Sequence, residues 1–166
     1  MTAEQTAAQT VAANALLAWK QQLELAQKIF APLSDEQLRK EIAPGKNRLI
    51  YLYGHFVAVH DRMLPLLAIG ERLYPQLDAP FLAEKDRTVP DADLPSAADL
   101  KRMWDEVHGK LNAALEKFTA EDWIAKHTSV SDEDFAKNPL RNRIAVLFSR
   151  TSHIAYHLGQ AALVKE

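Results

Sequence analysis

Residues 3–31, AEQTAAQTVAANALLAWKQQLELAQKIFA, set Ala12, Leu16, Trp19, Leu23, Ala26 and Phe30 at alternating steps of four and three. Such spacing draws one apolar stripe along a helix. Pro32 ends that helix, because proline lacks the backbone donor that the next turn needs. Downstream, Ser34 caps a short turn over 35–41, and Pro44-Gly45 breaks the chain before Asn47 opens a second helix over 47–69, kinked near its end by Pro65. Ser96 caps a third helix over 96–118, whose Leu100, Met103, Trp104, Val107, Leu111, Ala114, Leu115 and Phe118 share a stripe. Thr119 caps one more turn through Trp123, and a polar loop follows. Asn138-Pro139 then reads as a cap with proline at the first position of a fourth helix over 139–164.

Composition agrees with this reading. Alanine and leucine fill 48 of the 166 positions, whereas glycine and proline fill 13. Many helix formers and few breakers predict an all-α chain, and the length predicts one domain over 1–166. A net charge of −2 offers no dense basic face for phosphates, so nucleic acid is not an expected partner. The absence of cysteine excludes disulfides, thiolate zinc sites and cysteine nucleophiles. Met1 to Gln9 carries neither a basic nor an apolar leader region, and the wholly apolar runs are as short as Leu64 to Ile69. A cytoplasmic protein without a membrane span is expected.

The connection over 70–95 has 26 residues and four prolines. Antiparallel neighbours in a simple bundle need only a few residues between them. A segment this long can return along the molecule and let the second and third helices lie parallel, giving an up-down-down-up four-helix bundle. An ordered loop packed over one end is the alternative.

Chemistry concentrates in six histidines. His153 and His157 stand one turn apart on the fourth helix and can point both imidazoles at one cation. They lie about 120° from the stripe of Leu140, Ile144, Leu147, Thr151, Ile154 and Leu158, so they are not simply core positions. On the second helix, His55 and His60 are about 140° out of register, and at most one of them joins the pair. His60 aligns with Leu49, Tyr53, Phe56, Met63 and Leu67 and reads as a hydrogen-bonded core histidine, whereas His55 shares a side with Leu52, Val59, Arg62 and Leu66. Spacing alone does not choose between them. His108 and His127 have no patterned partner and are expected to be exposed.

Leu52-Tyr53-Gly54-His55-Phe56, with His153-Ile154-Ala155-Tyr156-His157-Leu158-Gly159-Gln160 far downstream, resembles the DinB/YfiT-like superfamily of metalloenzymes. Its hallmark is one histidine on the second helix and an H-x3-H pair on the fourth, commonly followed by x-G-Q. The resemblance spans nearly the whole chain. It implies the up-down-down-up bundle, His55 as the third ligand beside His153 and His157, a homodimer, and in some branches transfer or rearrangement of groups with a low-molecular-weight thiol.

Three neutral imidazoles leave a divalent cation with open positions, as catalytic sites require. Zinc, nickel and ferrous iron all accept such donors. The expected activity is metal-dependent transfer of a small thiol to an electrophilic substrate, with hydrolysis as the lesser option. The absence of cysteine means that any sulfur nucleophile comes from a separate molecule. A non-catalytic homodimer with a structural metal is the competing reading. Arg150 and Gln160 flank the histidine pair and Arg62 shares the side of His55, positions suited to an anionic substrate or the carboxylates of a thiol, although solvated arginines are ordinary. Asp132-Glu133-Asp134 reads as a solvent-facing acidic run, and Trp19 and Trp104 read as core. The second helix is apolar on almost every side, so a second copy of the bundle is expected to cover it.

Overall fold

The computed structural model describes residues 3–82 and 86–164. Helix α1 runs Ala3–Phe30, and its predicted stripe is buried except for Leu16, which packs partly covered against the core. Ser34 closes a capping box on α2, Asp35–Leu38. An antiparallel bridge between Glu41 and Arg48 then turns the chain into α3, Leu49–Asp61. The predicted second helix is interrupted at Arg62 and resumes as α4, Met63–Leu66. Pro65 explains the break, since it gives no hydrogen bond to the Asp61 carbonyl and its ring crowds that oxygen.

Beyond α4 the chain returns along α3. At the C-terminal end of α3, the buried Asp61 carboxylate accepts hydrogen bonds from the Leu73 and Tyr74 amides and from Arg72 Nε. A turn at Pro75–Leu77 leads into α5, Asp78–Phe81, and both Leu77 and Phe81 are buried. At the other end of α3, the Arg48 side chain holds Asp86 and Asp91. The connection is therefore tied down at both ends of the helix it follows. It also covers α3, whose residues are all buried apart from half-covered His55 and Val59, so that helix needs no second copy to cover it. Exposed apolar side chains instead stand on α1 (Val11, Leu17, Leu25) and on the last helix (Phe148, Tyr156).

Ser96 caps α6, Ala97–Leu115, and Thr119 caps α7, Ala120–Ile124. The acidic run lies not in a loop but in the first turn of α8, Asp132–Lys137, capped by Ser131. Carboxylates there meet the positive end of the helix dipole. The last helix, α9, spans Arg143–Ala161 and starts later than predicted. Asn142, not Asn138, is its cap, accepting from the Ala145 amide. Asn138 and Pro139 instead form a turn in which Asn138 Oδ1 accepts from the Leu140 amide and its carbonyl from Arg141.

Among the described residues the structure is all-helical, without strands, and one apolar cluster runs from Ala12 to Ala161. Phe30 stacks on Tyr53 at 5.0 Å, and Trp19 sets its edge against His60 at 4.7 Å. Trp19 Nε1 donates to Asn112 Oδ1 and Gln27 Nε2 to Asp105 Oδ1, joining α1 to α6. Truncating one of the fully buried aromatics here, such as Trp19 or Trp104, typically costs about 3–5 kcal/mol. No helix among the described residues is long and apolar enough to cross a membrane.

Candidate metal centre

His55 reaches into the bundle from α3, and His153 and His157 reach toward it from α9. One ring nitrogen from each lies within 4.8 Å of the others, and no further residue joins this group among those described. His55 Nε2 stands 3.0 Å from His153 Nε2. The ring centroids are 5.0, 5.2 and 4.7 Å apart. All three side chains are half-buried, so each keeps part of its surface exposed to solvent.

The Gly-His pair on α3 has a steric origin. A Cβ at Gly54 would lie 2.4 Å from the Phe81 ring, so only glycine lets α5 approach α3 this closely. That approach places the Phe81 carbonyl 2.7 Å from His55 Nδ1. A carbonyl only accepts, so His55 Nδ1–H donates to it and Nε2 is left as the free lone pair. On α9 the same result is reached with side chains. His157 Nδ1–H donates to Gln160 Oε1 at 2.7 Å, and Gln160 Nε2 donates to the Tyr156 hydroxyl at 3.2 Å. Partners of this kind fix ring orientation and tautomer in metal-binding histidines. His153 Nδ1 is buried without a partner.

Electrostatics favours the neutral rings that ligate metals. Burial pushes the His55 imidazole below its ordinary value, partly offset by its bond to Phe81. Burial, then the positive character of His55, His157 and Arg150, takes His153 down to about 4. At neutral pH both offer lone pairs rather than protons. Three imidazole nitrogen donors, two of them turned inward by fixed partners, fit a divalent cation.

The remaining predicted residues fall in different places. His60 is fully buried and its Nδ1 lies 2.8 Å from Nε2 of His108, whose own Nδ1 donates to the Trp104 carbonyl. His108 was expected on the surface but is only 5% exposed, because it fills the space between α6 and His60. His127 is half-buried and pairs with the Ser129 hydroxyl. Arg62 points away and bonds Asp78, whereas Arg150 is half-buried near the triad, its charge felt by His55 and His153. Sequence reasoning missed Phe81 and the orienting task of Gln160. A glycine among the bulky neighbours Tyr53 and Phe56 was the available sign of a close backbone approach.

A helical protein whose second long helix and last helix bring three histidines to one point defines a class of bundles with a histidine-lined centre. Residues 18–161 match the DinB superfamily, and the chain belongs to it. A comparison with curated protein sequences finds no match.

Proposed function

We propose that His55, His153 and His157 hold a divalent cation, zinc, nickel or ferrous iron, and that the protein is an enzyme transferring a low-molecular-weight thiol to a small electrophilic substrate, with hydrolysis as the lesser activity. The observation that carries this reading is the convergence of three imidazole nitrogens within 4.8 Å, two of them oriented by Phe81 and Gln160. A cation bound there supplies a Lewis acid that lowers the pKa of a thiol or of water brought to its open positions. The chain's own residues hold the His55 and His153 rings neutral, turn His55 and His157 inward through Phe81 and Gln160, and leave all three rings partly exposed. With no cysteine in the sequence, the sulfur comes from a separate thiol.

The domain is read as one unit over 1–166 with an up-down-down-up path. Support comes from contact order: Phe30 meets Tyr53 while Trp19 meets His60, which sets α1 against α3, and Tyr53 meets Trp104 while His60 meets His108, which sets α3 alongside α6. Cytoplasmic location and a small-molecule partner complete the proposal. The competing reading, a homodimer whose metal only ties α3 to α9, draws support from the exposed Val11, Leu25, Phe148 and Tyr156.

The test is a chelator-competition titration of the full chain with zinc and nickel, followed by thiol conjugation to a haloarene. Wild type is expected to bind one ion per chain, and His157→Ala to lose binding altogether. Conjugation above the uncatalysed rate in loaded protein, absent in His153→Ala, supports the enzyme. Metal binding without any conjugation or hydrolysis favours the structural reading.

A further inference from the structure

The sequence has nine arginines, and eight of them have a carboxylate oxygen within 4.0 Å. Even the deeply placed Arg48 and Arg72 are each held by two aspartates. Arg150 is the exception: among the described residues it has no ionic partner, and its Nε is buried without a hydrogen bond. A guanidinium is always charged, and withdrawing it from water without a counter-charge is unfavourable.

Arg150 lines a cleft of about 360 Å³ with Arg141, Asn142, Ser149, His127 and Leu66, and among the described residues no carboxylate contributes to its wall. Arg141 is already shared with Asp134 at 3.8 Å, which leaves Arg150 as the available cation. The cleft includes the capping residue of α9, so the positive end of a 19-residue helix adds to the field there. Arg150 also lies three residues before His153 on the same helix, which puts the cleft next to the histidine triad.

We propose that this cleft binds the oxyanion group, a carboxylate or a phosphate, of the molecule that reacts at the triad, with the Arg150 guanidinium as its principal donor. The assignment of a reacting molecule rests on the reading of the triad as a metal centre, whereas oxyanion binding by the cleft does not. Ser149, Asn142 and His127 offer neutral polar groups around the same space. A planar fork of donors suits a two-oxygen face better than a point charge does.

The experiment uses full-length, metal-free protein, so that an ion cannot score by binding the cation directly. Acetate, inorganic phosphate and acetamide are titrated while the Arg150 Nε–H resonance is followed by NMR. A saturable shift with acetate or phosphate and none with acetamide is expected, and whichever anion binds more tightly identifies the group. Arg150→Gln should weaken binding at least tenfold, Arg150→Lys should restore part of it, and Arg141→Gln should weaken it less than threefold. Equal binding of acetamide, unchanged affinity in Arg150→Gln, or binding that appears only after metal loading would overturn the proposal. Zinc titration of Arg150→Gln runs in parallel and should match wild type within twofold. If wild type binds oxyanions but no metal, the metal-centre reading fails and the cleft assignment stands.

Discussion

Two groups of histidines share α3, and they have opposite fates. His60 and His108 form a buried chain that ends on the Trp104 carbonyl at one side and leaves His60 Nε2 without a hydrogen bond at the other. His55, His153 and His157 form an open group, whose outer nitrogens are tied to Phe81 and Gln160 while the inner ones converge. Five residues separate His55 from His60, enough to turn one toward α9 and the other toward α6. Desolvation holds His60, His108, His55 and His153 below the ordinary imidazole value. A depressed basicity therefore does not separate the two groups here. The polar partners do: in the pair His60 Nδ1–H donates to His108 Nε2 and His108 Nδ1–H to the Trp104 carbonyl, whereas in the triad the outer nitrogens of His55 and His157 are held by acceptors and one nitrogen of each ring faces the other two.

The sharpest break of that comparison comes from Gly54→Ala. The new Cβ must displace the Phe81 ring, and overpacking of this kind typically costs about 1–3 kcal/mol. Moving Phe81 also takes the acceptor away from His55 Nδ1, and loss of such a partner lowers metal affinity by up to about 100-fold. Denaturant melts and chelator competition on the same protein should show both losses. A variant that loses stability but keeps full metal affinity would detach the Phe81 carbonyl from the site.

His60→Leu is next. It leaves His108 Nε2 buried without a donor, a penalty of about 1–3 kcal/mol. Replacing His60 and His108 together by leucine removes both partners, and the Trp104 carbonyl keeps its helical bond, so the double variant should be more stable than the single one. Metal affinity should stay near wild type in both. A large loss of affinity would show that the two groups are not separate.

The fold was legible where one helix carries its own signal. The stripe of α1, the Ser96 and Thr119 caps and the i,i+4 pair of α9 all follow from residues within a single element. What failed depended on partners distant in sequence or on competing turns. His108 looks exposed on its own helix because the ring that buries it is 48 residues away. Pro139 looks like a helix start, yet the Lys126–Asn142 bridge carries the chain one turn further before α9 begins. For the site, spacing gave His153 and His157, and the resemblance gave His55. The reason for His55, Phe81 lying against Gly54, needs the return of the connection along α3.

Acid should expose the buried pair. Burial takes His108 from the ordinary 6.5 down to about 3. Below pH 6.5 the unfolded chain gains a proton that the native ring refuses, so stability is intact above that value and falls as the pH drops toward 3. One such imidazole loses about 2 kcal/mol by pH 5. Urea melts between pH 7.5 and 5 should show this slope in wild type and a shallower one in the His60→Leu/His108→Leu protein. Identical slopes would mean that the acid sensitivity arises elsewhere.

The smallest effect should come from Gln160→Leu, which tests whether the open group depends on fixed partners as the buried pair does. Gln160 orients His157 through one hydrogen bond and is itself steadied by the Tyr156 hydroxyl. Both His157 and Gln160 are half-buried, so solvent can replace the lost acceptor, whereas nothing replaces the Phe81 carbonyl beneath α5. Metal affinity should therefore fall by about tenfold, the low end for loss of an orienting partner. Folding stability should change by less than about 0.5 kcal/mol, as for surface substitutions generally. If Gln160→Leu weakens zinc binding as much as Gly54→Ala does, water is no substitute at this edge and His157 is held as rigidly as His55. If neither variant changes affinity, the triad does not use its outer hydrogen bonds, and the contrast with the His60–His108 pair reduces to burial alone.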